Sequence, residues 1–252
     1  LNLLEVTGIT KRFAGIAAVS NVSFSVAAGT MLALIGPNGA GKSTCFNMVG
    51  GQLRPDAGQV RLDGTTISGS APRTIWRLGV GRTFQITATF ASMTVQENVQ
   101  MALLSHQRAL WGVWTRARKL NVAEAQELLA QVGLATQGHR AAGVLAYGDL
   151  KRLELAMALA SGPKLLLMDE PTAGMAAAER VTLMHLTRDI THRRGMAVLF
   201  TEHDMDVVFG IADRILVLHR GELVAEGDGD AIRANALVRE IYLGSGTTSG
   251  GH

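Results

Sequence analysis

The stretch GPNGAGKST, Gly36 to Thr44, follows the apolar run GTMLALIG and opens a helical pattern, and this order of strand, glycine-rich turn and helix restricts the fold more than any other local signal. Glycines at Gly36, Gly39 and Gly41 let successive backbone N–H groups turn inward around an anion, with Pro37, Asn38 and Ala40 completing the loop. The helix that follows aims its N-terminal dipole at the same point. Lys42 is then placed to neutralise β- and γ-phosphates, Ser43 to ligate Mg²⁺, and Thr44 to complete the motif. A chance turn in a chain with 29 glycines is the competing explanation, and it does not account for the flanking strand and helix.

What precedes and follows this loop has the rhythm of an α/β protein. LLEVTGI and VSFSV alternate as strands, as does GQVRLDG between its glycines. From Ala71 to Leu134 the pattern is helical; in NVAEAQELLAQVG the residues Val122, Ala125, Leu128, Leu129 and Val132 share a face and Gly133 ends the helix. KLLLMDE and MAVLFTEHD are continuous apolar runs closed by acidic or histidine residues, as expected of parallel strands buried on both faces. The helical segment AAAERVTLMHLTRDITHRRG separates them, so a right-handed parallel sheet is expected, with its ligands at the carboxyl ends of the strands. DRILVLHRGELVAEG predicts a last strand pair turning at HRG, DAIRANALVREIYLG a short helix, and SGTTSGGH a disordered tail over 245–252.

Composition narrows the class further. With 47% hydrophobic and 18% charged residues the 252-residue chain has globular composition, and no apolar stretch is long enough to span a bilayer as a helix. A soluble, cytoplasmic protein is expected. The net charge of +3 is too small to argue for nucleic acid. The single Cys45 excludes an intramolecular disulfide framework and a cysteine metal cluster, and a small apolar residue just inside a helix is expected to be buried.

Two acids close the strand KLLLMDE. Asp169 is suited to hold Mg²⁺, and Glu170 to face the point from which a water attacks a γ-phosphate. Alone, such a pair is more often a solvated strand end or a helix cap; beside the phosphate loop it becomes the second half of a nucleoside-triphosphate site. His203 ends the strand MAVLFTEHD, which a parallel sheet sets next to the Asp169 strand, within reach of a transferring phosphate. The remaining histidines, His106, His139, His185, His192, His219 and His252, carry no such placement.

With phosphate loop, acidic pair and strand-end histidine in this order, the chain resembles the ATP-binding cassette family over nearly its whole length. The resemblance implies an α/β P-loop NTPase core with a mostly parallel sheet, an N-terminal antiparallel β-subdomain and an inserted α-helical subdomain, about 86–160, within a single nucleotide-binding domain over 1–244. It further implies that Phe13 in KRFAG stacks adenine, that Gln85 in GRTFQ senses Mg²⁺ and touches a membrane partner, and that His203 is the switch histidine. LAYGD, Leu145, Ala146, Tyr147, Gly148 and Asp149, stands at the signature LSGGQ, and TAGMA at the D-loop. In the family the signature loop caps the γ-phosphate of ATP held by the opposite subunit.

This sequence departs from the pattern there. Ala146 replaces a serine whose hydroxyl reaches phosphate, Tyr147 a glycine, Asp149 a glutamine, and Ala176 the D-loop aspartate. A charged hydrogen bond is worth about 1.5–3 kcal/mol, so the missing serine matters unless Tyr147 or the backbone compensates. A decayed site is the competing view, but Lys42, Ser43, Gln85, Asp169, Glu170 and His203 are all present.

The variant LAYGD with RLELA, together with GRTFQ, EHDMDVV and the closing IRANALVREIYLG, is similar to the ATP-binding subunits of branched-chain amino-acid (Liv-type) importers. What that implies is an ATP hydrolase using ATP and Mg²⁺, paired with a second cassette as homo- or heterodimer. It would sit on the inner face of the membrane against two permease subunits, with a solute-binding protein choosing the solute. Urea, amides and aromatic acids are alternative solutes. The segment QITATFASMTVQENV would border the permease groove, with Phe90 and Met93 there or in the core. Lipopolysaccharide-export ATPases share the RTFQ and YLG regions. A cassette acting on nucleic acid or ribosomes would bring two cassettes or a long coiled coil, and no sustained heptads lie between Thr44 and Leu145. A regulatory module without turnover would have no use for Glu170.

Overall fold

The two alternating stretches at the N-terminus form one hairpin in the computed structural model, which describes residues 2–83, 89–107 and 121–244. Strands β1 (Asn2–Phe13) and β2 (Ile16–Ala27) pair antiparallel around Ala14 and Gly15, whose φ values of 47° and 86° match the two-residue turn that follows strand twist. β4 (Ala57–Leu62) and β5 (Thr65–Thr66) extend this sheet in the order β2-β1-β4-β5. The antiparallel N-terminal sheet is the one the family resemblance implies.

The second sheet carries the continuous apolar runs. β3 (Met31–Ile35), β6 (Val80–Thr83), β7 (Leu165–Asp169), β8 (Ala197–Thr201), β9 (Arg214–His219) and β10 (Glu222–Gly227) lie in the order β10-β9-β3-β8-β7-β6. All neighbours are parallel except β9 and β10, a hairpin that turns at Arg220 and Gly221 with φ 49° and 83°. β3 is buried throughout, and its side chains divide by parity. Met31, Ala33 and Ile35 join one hydrophobic core, Leu32 and Leu34 the other.

Helices fill both faces. α1 (Lys42–Val49) and α2 (Pro72–Arg77) belong to the core shared with the antiparallel sheet, through Phe46, Met48, Val49 and Ile75. The other core takes in α3 (Val95–Gln107), α4 (Val122–Gln131), α5 (Tyr147–Leu159), α6 (Ala177–Arg194), α7 (Met205–Ile211), α8 (Gly229–Ala234) and α9 (Ala236–Gly244). In α4 the residues Ala125, Leu128, Leu129 and Val132 are buried, Val122 is half-buried, and Gly133 at φ 76° ends the helix while Leu134 N–H reaches back to the Leu129 carbonyl. Among the described residues no helix is long and apolar enough to cross a membrane.

Two sequence expectations are corrected here. The stretch from Ala71 to Leu134 is not uniformly helical, because Val80–Thr83 is a strand beside β7. Four residues including Gly81 give no periodicity of their own; the edge position on β7 and the fit of Gly81 against Pro163, where a Cβ would stand 3.0 Å away, decide the conformation. The segment DAIRANALVREIYLG is two helices, divided at Asn235, whose Oδ1 accepts from Val238 N–H at 3.1 Å. The tail 245–252 lies outside the described residues.

Cys45 is fully buried in α1, and burial pushes its thiol up to about 12. Only the thiolate attacks a disulfide reagent, so Ellman's reagent at pH 8 is expected to modify folded protein roughly a thousandfold more slowly than urea-unfolded chain. Equal rates in the two states would place Cys45 elsewhere.

Candidate functional site

The glycine-rich loop leaves β3 and enters α1 against a neighbouring hairpin. Gly36 has φ 151° and a Cβ there would stand 2.2 Å from the Leu218 carbonyl oxygen; at Gly41, φ 103°, it would stand 2.5 Å from that of Ala18. No side chain fits at either point, which explains both glycines. The loop is held from outside by Gly221 N–H donating to the Ala40 carbonyl at 3.0 Å. Asn38 and Gly39 at its crest are exposed, as is Ser43, while Thr44 is half-buried.

Lys42 is 8% exposed and donates from Nζ to the carbonyls of Gly36 at 2.7 Å and Pro37 at 3.1 Å. Its pKa is held below the usual lysine value by desolvation, opposed by the charges of Glu170 and Asp169. A partly desolvated cation with two carboxylates in its field is prepared for an anionic ligand.

Those carboxylates stand at the end of β7, and a threonine of β8 arranges them. Thr201 Oγ1 donates to Asp169 Oδ1 at 2.7 Å and accepts from Glu170 N–H at 3.1 Å. Asp169 Oδ2 faces Arg82 at 3.6 Å. Glu170 has φ 48°, a left-handed conformation unusual for glutamate and typical of functional strain. Its Oε1 lies 2.8 Å from His203 Nε2, so the strand-end histidine and the acid meet across neighbouring strands. The residues that follow are anchored too. Buried Glu202 accepts from Thr172 N–H at 3.0 Å and Thr172 Oγ1 at 2.6 Å, and its Oε2 accepts from His203 N–H at 3.2 Å. Asp204 caps α7 and pairs with Arg180 at 2.9 Å, its carboxyl held below the usual range by these partners against the opposing effect of burial.

The donor set suits Mg²⁺. Ser43 offers a hydroxyl and Asp169 a carboxylate braced by Thr201, hard oxygen ligands of the kind that hold this ion together with phosphate oxygens. Phe13 is 48% exposed at the end of β1 with Lys11 Nζ 5.8 Å from its ring centroid, free to offer a face. Gln85 lies outside the described residues.

The loop from Leu145 to Asp149 enters α5, whose Lys151 lines a small cavity together with Asp169 and Glu170. Ala146 stands at the N-cap of α5 and supplies no capping side-chain bond to its first-turn N–H groups. Leu145 is half-buried and Gly148 buried. Asp149 accepts from Gln137 Nε2 at 2.7 Å and lies 4.0 Å from Arg152, within its own chain. Tyr147 also bonds within its own chain, from its hydroxyl to the Ala173 carbonyl at 3.0 Å. Ala176 caps α6 without a side-chain bond.

Sequence reading passed over Thr201, Glu202 and Tyr242. The first two belong to TEHD, whose clustering after an apolar strand was visible while its partners were not. Tyr242 on α9 accepts a hydrogen bond from the Gly36 backbone, and burial pushes its hydroxyl up to about 12. The closing helix thus touches the first residue of the phosphate loop.

A groove of about 870 Å³ is lined among others by Trp76, Arg82, Ala102, Glu154 and Met157, and Arg82 links it to the Asp169 carboxylate. Phe90 is half-exposed beside it in sequence, its backbone pinned by Asn98 through bonds of 2.7 and 3.1 Å, and Met93 is half-buried.

Comparison with known proteins agrees with this fold. Residues 19–173 match the protein family described as ABC transporter. The chain is 40% identical over 249 residues to the high-affinity branched-chain amino acid transport ATP-binding protein BraF of Pseudomonas aeruginosa, covering 96% of this chain and 98% of that one. It is 38% identical over 251 residues to LivG of Escherichia coli K12, a protein of the same description, with the same coverage. Among solved structures, the ADP conformation of MJ1267, an ATP-binding cassette of an ABC transporter, superposes with a TM-score of 0.84 at 30% identity over 97% of this chain and 99% of that one. The dimeric post-hydrolysis state of the cassette MJ0796, bound to ADP and Pi, superposes with a TM-score of 0.73 at 25% identity over 89% and 98%.

Proposed function

This chain belongs to the ABC transporter family as an ATP-hydrolysing cassette, and from that premise we propose that it powers an importer of branched-chain or other hydrophobic amino acids. It works as a peripheral subunit on the inner face of the cell membrane, with two permease subunits, a solute-binding protein outside and no nucleic acid. The observation that carries the chemistry is the Glu170–His203 contact of 2.8 Å at the strand ends facing the Lys42 loop. The solute class rests on the similarity to BraF and LivG, whose names specify branched-chain amino acids.

In the proposed cycle the loop from Gly36 to Thr44 wraps the phosphates of ATP, Phe13 stacks the adenine, and Gln85 borders the permease. Ser43 and Asp169, with Gln85, would hold Mg²⁺, which would supply charge neutralisation at the phosphate oxygens. Glu170 orients a water and accepts its proton as the water oxygen bonds to the γ-phosphorus; the bond to the ADP oxygen breaks, and ADP and phosphate leave. Lys42 and His203 stabilise the charge on the transferring group. Since each chain carries both the phosphate loop and the segment from Leu145 to Asp149, two copies related by a two-fold axis complement one another. A second cassette placed so caps each ATP with the first-turn N–H groups of α5. The groove beside Trp76 and Met157 supports permease docking by its size and by a lining that mixes apolar side chains with arginines.

The test is uptake by the chain purified from membranes with its permease subunits and reconstituted in liposomes. With ATP on the cassette side and solute-binding protein on the other, radiolabelled leucine is expected to accumulate and to be competed by isoleucine and valine. ATP-dependent release instead of accumulation would point to an exporter, and accumulation of urea or amides alone would reassign the solute.

A further inference from the structure

Tyr147 stands where the family has a glycine, and its side chain is engaged. Its hydroxyl donates to the Ala173 carbonyl at 3.0 Å across a separation of 26 residues. The same ring edge borders Gly174, φ 80°, where a Cβ would stand 3.4–3.6 Å from Tyr147 atoms. On its other side Lys151 Nζ lies 5.5 Å from the ring centroid, and Lys151 is buried and fixed by Glu154 at 3.1 Å. One residue on, Gly148 abuts the first turn of α6, with Glu179 Oε1 3.0 Å from where its Cβ would be. The start of α5 therefore meets the segment from Thr172 to Ala176 through Tyr147 and the first turn of α6 through Gly148.

We propose that Tyr147 is a positioning residue that clasps the D-loop equivalent, Ala173 and Gly174, to the N-terminus of α5 in the same chain. The two segments that face the second cassette then move as one body. The glycine this tyrosine replaces has no side chain to make such a bond, and the serine replaced by Ala146 would have acted on phosphate instead. What this chain lacks in direct contact it recovers as order: a loop held in one conformation loses less entropy when the pair closes. The clasp rests on the cassette function proposed above for its consequence, although not for its existence.

The test is Tyr147→Phe, which keeps the ring and removes the hydroxyl. Since a neutral hydrogen bond is worth about 0.5–1.5 kcal/mol, hydrogen exchange at residues 172–176 of nucleotide-free protein is expected to quicken about three- to tenfold while the β7 and β8 amides stay unchanged. Phosphate release is expected to fall several-fold in kcat with little change in KM for ATP, because the lost bond lies outside the chain's own phosphate loop. Unchanged exchange at 172–176 would overturn the clasp, as would faster exchange spread evenly over the chain. Should parent protein release no phosphate at all, the catalytic assignment fails by itself, and the exchange measurement still decides the clasp.

Discussion

Glu170→Gln is expected to lower phosphate release about a hundred- to ten-thousandfold, the usual contribution of a positioned general base. The amide keeps the shape of the carboxylate and retains a partner for His203 Nε2, which lies 2.8 Å from Oε1 in the parent. It cannot accept a proton from water. Affinity for Mg-ATP is expected to hold or rise, because a negative charge that faces Lys42 is removed from the neighbourhood of the phosphates. Single-turnover phosphate release and nucleotide binding, measured on the same variant, separate the two effects. Undiminished release would assign the base to another group, and lost binding would make Glu170 a structural residue.

Lys42→Met is expected to do the opposite, weakening binding while sparing the fold. Its ammonium is the only lysine in the loop from Gly36 to Thr44. Replacing it removes charge-assisted bonds worth about 1.5–3 kcal/mol each, so affinity for Mg-ATP should fall about tenfold to a hundredfold or more. Stability should change little, since the bonds to the Gly36 and Pro37 carbonyls are lost together with the cost of desolvating the cation. The pH dependence has a definite sign. With the folded-state pKa below the unfolded one, the unfolded chain binds more protons in the alkaline window between the two values. The nucleotide-free parent should therefore gain stability relative to Lys42→Met as pH rises through that window. Urea titrations at successive alkaline pH values check this, and a difference that narrows instead would mean that Lys42 is stabilised by its carboxylate neighbours.

How much of this was legible in the sequence depends on how local the cause was. The phosphate loop could be read because its glycines answer to steric limits a few residues apart, and because β3 announces itself as an unbroken apolar run. Asp169, Glu170 and His203 were legible as strand ends, and the pairing of β7 with β8 turns that sequence position into a 2.8 Å contact. Strand β6 was not legible, since four residues with a glycine among them acquire their conformation from β7 and Pro163. The part played by Thr201 was not legible either. A threonine at a strand end is ordinary until the Asp169 carboxylate and the Glu170 backbone N–H are found sharing its hydroxyl. The departure at LAYGD was visible as a departure; that Tyr147 reaches Ala173 depends on how α5 packs against the segment before α6, which no local pattern encodes.

The central claim is that ATP closes this chain on a second cassette through the segment from Leu145 to Asp149. Light scattering of Glu170→Gln with and without Mg-ATP, at several protein concentrations, tests it most directly. The account predicts a concentration-dependent species of twice the 26.7 kDa chain mass that forms with Mg-ATP and dissociates when nucleotide is removed. A protein that binds Mg-ATP and remains at the monomer mass at every concentration would contradict it.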